Sequence, residues 1–142
     1  MSAARRLRSI LLSTALVIVA TAVWPLAADA ATYDILVSAS TTRSGATPLQ
    51  GKTVSGTIYV FVSPETGITQ VRFYLDDPQR TRTPIRVENI APFDFAGTGG
   101  NGAAGPYGTT ALANGQHTIT AAVDKSAGGT DVLNATFTTS NP

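Results

Sequence analysis

The sequence contains no cysteine. This absence excludes disulfide bonds, thiolate zinc sites and cysteine nucleophiles. There is a single histidine, His117, so any catalytic triad or imidazole-ligated metal site would have to use it. No helical spacing of apolar residues is found beyond residue 30. Without disulfides or helices, an exported domain of this size must be stabilised by a packed core of β-strands.

The first thirty residues have the pattern of a secretory signal peptide. The basic stretch RRLR at 5–8 precedes an apolar run at 10–23, and ADA at 28–30 offers a cleavage site. We predict export by general secretion with cleavage after residue 30. An uncleaved membrane anchor is the alternative, although the apolar run is short for a membrane span. The mature protein is therefore expected to be secreted or at the cell surface, with no membrane segment.

The charge of the mature chain argues against two classes of partner. Residues 31–142 carry seven lysines and arginines against eight aspartates and glutamates, a formal charge of −1. No polybasic stretch remains to attract nucleic acid or an anionic lipid surface. We therefore expect neither a nucleic acid nor a membrane as partner.

Two stretches alternate between apolar and polar residues with a period of two, which is typical of strands with one buried face. They are TVSGTIYVFV at 53–62 and VRFYLD at 71–76. We predict that these two strands pair with each other. The residues predicted to point inward are Val54, Ile58, Val60, Val62, Val71, Phe73 and Leu75.

Further strands are predicted on both sides of this pair, at 33–38, 83–88, 91–96, 116–124 and 131–138. In the stretch 83–88, Ile85 and Val87 are expected to point inward. The glycine-rich stretch 97–108 is expected to be the least structured part of the chain. Gly128-Gly129 marks a hairpin loop between the last two strands.

About seven short strands joined by turns predict an all-β fold, an immunoglobulin-like β-sandwich that follows a cleaved signal peptide. An open barrel is the competing all-β architecture. The predicted organisation is a signal peptide at 1–30, an N-terminal strand and linker at 31–48, and the sandwich domain at 49–139. The stretch 33–38 is a candidate for the first strand of that domain.

Four motifs resemble the bacterial Ig-like domains of exported proteins. They are Leu49 with Gly51 before the central strand, FYLD at 73–76, Pro92-Phe93, and LANGQHTITA at 112–121. The resemblance covers nearly all of the chain from Leu49, and the last motif is the most specific. It implies an immunoglobulin-like fold without catalytic residues, in a family whose domains often stand beside carbohydrate-binding or enzyme domains.

Aromatic side chains supply the candidate ligand contacts. Tyr59, Phe61 and Tyr74 have the parity opposite to the predicted core positions of their strands. If those strands pair, the three rings form an exposed patch on which sugars or another protein would stack. Burial under a neighbouring segment is the alternative. Tyr107, in the glycine-rich stretch, is the fourth candidate, because loops on rigid scaffolds often carry function.

His117 is interpreted as a structural corner residue together with Asn114 and Gly115. It follows the Asn-Gly turn and shares its parity with the core position Ile119. In immunoglobulin-like folds a tyrosine two residues before a core position bonds back to the corner of the sheet. We predict that a ring nitrogen of His117 has this role, because a lone buried histidine lacks the partners that a catalytic histidine needs.

Aspartates at turns are the only candidates for a metal site. Asp76 with Asp77, and Asp124 with Asp131, have the oxygens that Ca²⁺ prefers, but the spacing of a calcium loop is missing. Turn capping is the favoured interpretation. We predict no cofactor and no metal.

Taken together, these features predict a secreted, non-catalytic Ig-like module. Adhesion or contact with a glycan or the cell surface is the favoured function. A structural spacer or a protein–protein assembly domain is the alternative. The expected partner is an extracellular polysaccharide or another surface protein, and no set of nucleophile, base and orienting group supports an enzyme.

Overall fold

Nine β-strands are found in residues 32–142, the part of the chain that the computed structural model describes. The predicted signal peptide at 1–30 lies outside these residues. The strands are β1 (Asp34–Ser38), β2 (Thr47–Pro48), β3 (Thr53–Val54), β4 (Thr57–Ser63), β5 (Ile68–Leu75), β6 (Arg86–Glu88), β7 (Tyr107–Gly108), β8 (Gly115–Lys125) and β9 (Thr130–Thr139). A 3₁₀ turn, Thr109–Ala111, follows β7. None of the described residues forms a helix long and apolar enough to cross a membrane.

The strands form two sheets. One has the order β2-β1-β4-β7, and the other has the order β3-β9-β8-β5-β6. All pairings are antiparallel except that of β3 with β9. The apolar faces of the two sheets enclose one core, as in the predicted immunoglobulin-like sandwich. The prediction of the fold class is confirmed.

The predicted pairing of the stretches 53–62 and 71–76 is wrong. The first stretch is interrupted at Gly56, whose φ of +71° is a left-handed conformation that suits glycine. Before this bend, β3 (Thr53–Val54) pairs with β9. After it, β4 pairs with β1 in the other sheet. The second stretch, in β5, pairs with β8 and β6. The two alternating stretches thus meet across the core and not within a sheet.

The core consists of inward-facing side chains from both sheets and from the segment 93–95. The predicted inward residues of β4 and β5 are buried at five positions, namely Ile58, Val60, Val62, Val71 and Phe73. In the neighbouring strands β8 and β9, the inward-facing side chains are also buried. They are Ile119, Ala121 and Val123 of β8 and Ala135 and Phe137 of β9. A protein of residues 31–142 therefore contains all nine strands described here and the core between them.

The hairpin of β8 and β9 has the turn that the sequence predicts. Lys125 N–H donates to Gly129 O at 3.0 Å, and Gly128 N–H donates to Lys125 O at 2.9 Å. The strands on both sides pair without interruption from Gly115 with Thr139 to Asp124 with Thr130. This long local pairing forms the centre of the five-stranded sheet.

The predicted orientation of Ile85 and Val87 is wrong. Val87 lies opposite Arg72 of β5, and residues that lie opposite each other in a sheet share a face. Arg72 points away from the core because its neighbours Val71 and Phe73 are buried. Ile85 and Val87 are accordingly exposed on the outer face of the five-stranded sheet.

The stretch 91–108 is more ordered than its glycine content suggests. Phe93 and Phe95 are buried in the core, and Val62 N–H donates to Phe93 O while Phe95 N–H donates to Val60 O. The segment thus pairs antiparallel beside β4, as a short strand would. In the glycine-rich part, Thr98 and Ala104 form an antiparallel bridge. Apart from this bridge, residues 97–106 form turns and irregular backbone, and β7 follows them.

Candidate interaction surface

The aromatic residues proposed as ligand contacts do not form one patch. Tyr59 and Phe61 lie on β4 of the four-stranded sheet, whereas Tyr74 lies on β5 of the five-stranded sheet. The outer faces of these sheets are on opposite sides of the sandwich. Phe61 and Tyr74 are buried, and Tyr59 is half-buried. Only Tyr59 keeps an open face on its sheet, so the structure offers no joint stacking platform among these three rings.

Phe61 is covered by the loop that connects β1 and β2. The guanidinium carbon of Arg43 lies 6.0 Å from the centre of its ring. Arg43 is fixed there by Asp94, since its Nε donates to Asp94 Oδ1 at 2.8 Å and its Nη2 donates to Oδ2. Thr98 Oγ1 donates to the same carboxylate, which is fully buried. A buried ion pair thus holds Arg43 over the ring of Phe61 on the outer face of the four-stranded sheet.

Tyr107 lies in β7 and packs against the end of the core. Its ring meets that of Phe95 edge to face, with the centres 5.1 Å apart. Burial of the ring is the main cause that raises the pKa of its hydroxyl above the ordinary value. As a half-buried residue of a strand, Tyr107 is less accessible than the loop residue that was expected.

His117 forms two hydrogen bonds at the corner of the five-stranded sheet. Its Nε2 lies 2.8 Å from Ala113 O, and its Nδ1 lies 2.7 Å from Asp76 Oδ2. Asp76 Oδ1 also accepts from Thr118 N–H at 2.9 Å. Both bonds raise the pKa of His117 above 6.5, and the bond to Ala113 O contributes more than the bond to Asp76. The ring bonds back to the corner with a nitrogen, as a corner tyrosine does with its hydroxyl.

The Asn-Gly turn beside His117 is held by the C-terminal tail. Asn114 Nδ2 donates to Asn141 O at 2.9 Å, and Asn141 N–H donates to Asn114 Oδ1 at 2.7 Å. Gly115 has a φ of +130°, a backbone conformation that suits glycine. The role of Asp76 in this corner was not predicted, because nothing local in the sequence connects it with a histidine 41 residues away.

The other aspartates proposed for calcium form bonds within the protein. Asp77 accepts from Thr81 N–H at 3.1 Å and from Arg82 N–H at 2.8 Å, and these bonds lower its pKa, the latter most. Asp124 forms an ion pair with Arg72, and Asp131 forms one with Lys125. Within 32–142, no three His, Asp or Glu side chains are grouped so that they could hold a metal ion.

The apolar side chains that the protein exposes are concentrated on one sheet. The large hydrophobic residues that are exposed among those described are Ile85 at 54%, Val87 at 42%, Ile90 at 79% and Val132 at 40%. Three of them lie on or beside β6, and we refer to Ile85, Val87 and Ile90 as the apolar rim. Val132 lies on the outer face of the same sheet. It belongs to a row of residues that lie opposite one another across the four strands, in the order Val87, Arg72, Ala122 and Val132.

A cleft of about 410 Å³ lies beside β6, between the edges of the two sheets. Arg86 and Glu88 line one side of it, and the backbone of 96–99 with Gly105 lines the other. Arg86 Nη2 donates to Ala96 O at 3.2 Å, and its Nε lies 3.7 Å from Glu88 Oε1. Burial is the main cause that raises the pKa of Glu88. Because Arg86 and Glu88 lie opposite the core residues Phe73 and Val71, the cleft is on the inner face of the sheet at its β6 edge.

The comparison with protein families identifies the domain. The model of the bacterial Ig domain family matches residues 36–121, more than half of the chain. The chain belongs to the bacterial Ig domain family. The match begins within β1 and ends within β8, so it includes the apolar rim, the corner at His117 and the buried ion pair. No curated protein matches the sequence.

Two solved structures are similar to this Ig domain at low identity. One contains fibronectin(III)-like modules of Clostridium thermocellum CbhA, with 11% identity, 64% of this chain and 90% of that chain covered, and a TM-score of 0.40. The other is an endo-beta-1,4-mannanase from Thermotoga petrophila, with 14% identity, 80% and 21% covered, and a TM-score of 0.46. At these TM-scores neither bears on the function of this chain.

Membership of the family sets the class of function. Bacterial Ig-like domains are typically non-catalytic accessory modules and occur in extracellular and cell-surface proteins. In this Ig domain the polar clusters at Asp94, His117 and Asp77 all have partners within the protein. The apolar rim, by contrast, is exposed to solvent in the described part of the chain.

Proposed function

We propose that this Ig domain is a secreted module without catalytic activity that acts by binding other proteins through the apolar rim. The observation that carries this proposal is the position of the exposed apolar side chains. Ile85, Val87 and Ile90 occupy one edge of one sheet, whereas the aromatic residue at the centre of the other sheet is covered by Arg43. Concentrated exposed apolar residues mark interaction sites more often than scattered ones do.

Burial of the candidate aromatic residues favours a protein partner over a glycan. A sugar ring stacks on the open face of an aromatic side chain, and Phe61 and Tyr74 present none. Aliphatic side chains at a sheet edge suit another polypeptide, which adds backbone hydrogen bonds as well as apolar contacts. The predicted signal peptide supports placing this contact outside the cytoplasm.

The test is the retention of residues 31–142 on bacterial cell-envelope preparations, before and after their proteins are digested, and on purified polysaccharides. We expect retention on the untreated envelope, loss after digestion, and weaker retention of Val87→Lys. The matched control is Thr57→Lys, which adds the same charge to an exposed position of β4 in the other sheet. Retention on polysaccharide alone that Tyr59→Ala abolishes would contradict the proposal and favour glycan contact.

A further inference from the structure

We infer that β6 pairs antiparallel with β6 of a second copy of this chain, about a two-fold axis through Val87. This inference rests on the proposed function and specifies a partner for the apolar rim. In such a dimer, two five-stranded sheets join into one continuous sheet. The contact is isologous, because the same strand provides both sides of it.

The first argument is the open flank of β6. This strand ends the order β3-β9-β8-β5-β6 and pairs only with β5. No backbone hydrogen bond joins residues 86–88 to any described segment other than β5. An edge strand leaves backbone N–H and C=O groups free on one side, and another strand is the partner that satisfies them.

The second argument is charge complementarity. In an antiparallel pair centred on Val87, Arg86 of each copy lies opposite Glu88 of the other. Opposite residues have their Cβ atoms about 5 Å apart, and opposite charges in this position stabilise the pair. Within 32–142, Arg86 Nη2 donates to Ala96 O and Nε lies 3.7 Å from Glu88 of the same copy, whereas Nη1 has no hydrogen bond and can donate to the second copy. Burial already raises the pKa of Glu88, so a second guanidinium would favour its charged form.

The same charges select the register. A two-fold pair whose facing side chains lie on the same side of the sheet can be centred on Arg86, Val87 or Glu88. Centring on Arg86 places two arginines opposite each other, and centring on Glu88 places two glutamates there. Like charges directly opposite are destabilising. Only the pair centred on Val87 removes both conflicts, and it also brings the two exposed Val87 side chains together.

Ile85 completes the contact on the outer face, which it shares with Val87. Pairing centred on Val87 places Ile85 opposite Asn89 of the other copy, so one isoleucine flanks the central valines on each side. Ile90 lies two residues beyond the end of β6. The formal charge of −1 on residues 31–142 opposes association only weakly. A three-residue strand with its flanking residues is a small interface, and small interfaces give transient complexes. We therefore expect a weak dimer.

The experiment is analytical ultracentrifugation of residues 31–142 from about 10 µM to about 1 mM, the range in which small interfaces associate. We expect the wild type to dimerise and each charge reversal, Arg86→Glu or Glu88→Arg, to weaken the dimer at least about tenfold. Circular dichroism checks that each variant is folded. An equimolar mixture of the two variants restores dimerisation, because one copy then carries two glutamates and the other two arginines.

The double variant with both reversals provides an independent measurement, since it is again complementary to itself and should dimerise like the wild type. A wild type that stays monomeric over the whole range overturns the inference. So does a dimer that neither reversal weakens, or a mixture that does not restore association. Protease-sensitive retention on cell envelopes that depends on Val87, combined with a monomeric domain, overturns this inference alone and leaves the proposed function standing.

Discussion

The buried ion pair of Arg43 and Asp94 allows a quantitative prediction for the variant Asp94→Asn. The side chain of Asp94 is 1% exposed and that of Arg43 is 15% exposed. The carboxylate accepts two bonds from the guanidinium and one from Thr98. In the variant, one carboxylate oxygen becomes an NH2 donor, so Arg43 above the ring of Phe61 keeps at most one neutral amide acceptor there and its bond to Gly102 O at 3.2 Å.

Breaking a buried pair by removing one partner costs about 3–5 kcal/mol, because the other charge stays desolvated without compensation. We expect about 3 kcal/mol for Asp94→Asn, since Arg43 lies in a loop and can turn toward water. Arg43→Met should cost more, up to about 5 kcal/mol, since Asp94 has no route to solvent. If the two residues interact directly, the double variant should cost less than the sum of the single variants.

The assay is urea unfolding of residues 31–142. It has to be followed by circular dichroism, since the only tryptophan, Trp24, lies within the predicted signal peptide. Lys125→Met is the control, because Lys125 Nζ lies 2.7 Å from Asp131 Oδ1 in a pair whose side chains are 28% and 40% exposed, far more than those of Arg43 and Asp94. Exposed pairs contribute about 0–1 kcal/mol. If Asp94→Asn costs no more than Lys125→Met, the argument that burial makes this pair important is refuted.

Two further predictions concern the corner and the glycine-rich stretch. His117 has a raised pKa in the folded state, so its stabilising bonds are fully present below pH 6.5 and are lost as pH rises through the folded pKa. As pH rises through the folded pKa, we expect the free energy of unfolding to fall by about 1 kcal/mol. His117→Gln should remove this pH dependence, and a variant with the same pH profile as the wild type would contradict the prediction. Gly105→Ala should cost about 1–3 kcal/mol in urea unfolding, because its Cβ would lie 2.5 Å from Ala96 O, whereas Gly100→Ala, with nothing within 4 Å, is the control. Equal losses in the two glycine variants would refute the steric argument.

Local patterns predicted the parts of the fold that depend on neighbouring residues. Alternation with a period of two correctly placed Ile58, Val60, Val62, Val71 and Phe73 in the core, although Phe61 and Tyr74 on the opposite faces are buried as well. The Gly128-Gly129 turn correctly predicted the hairpin of β8 and β9, because both of its strands are close in sequence. Alternation carries no information about the partner of a strand, which is why β4 was assigned to β5.

The sequence by itself therefore determined the all-β class, the family and most of the core. Only the tertiary structure decided which surface is open. Val87 is apolar and was assigned to the core, but its register with Arg72 of β5 turns it outward. Arg43 and Asp94 are 51 residues apart, and the pairing of β4 with β1 and with the segment 93–95 brings them together. Such contacts depend on the arrangement of distant strands, and no local pattern encodes that arrangement.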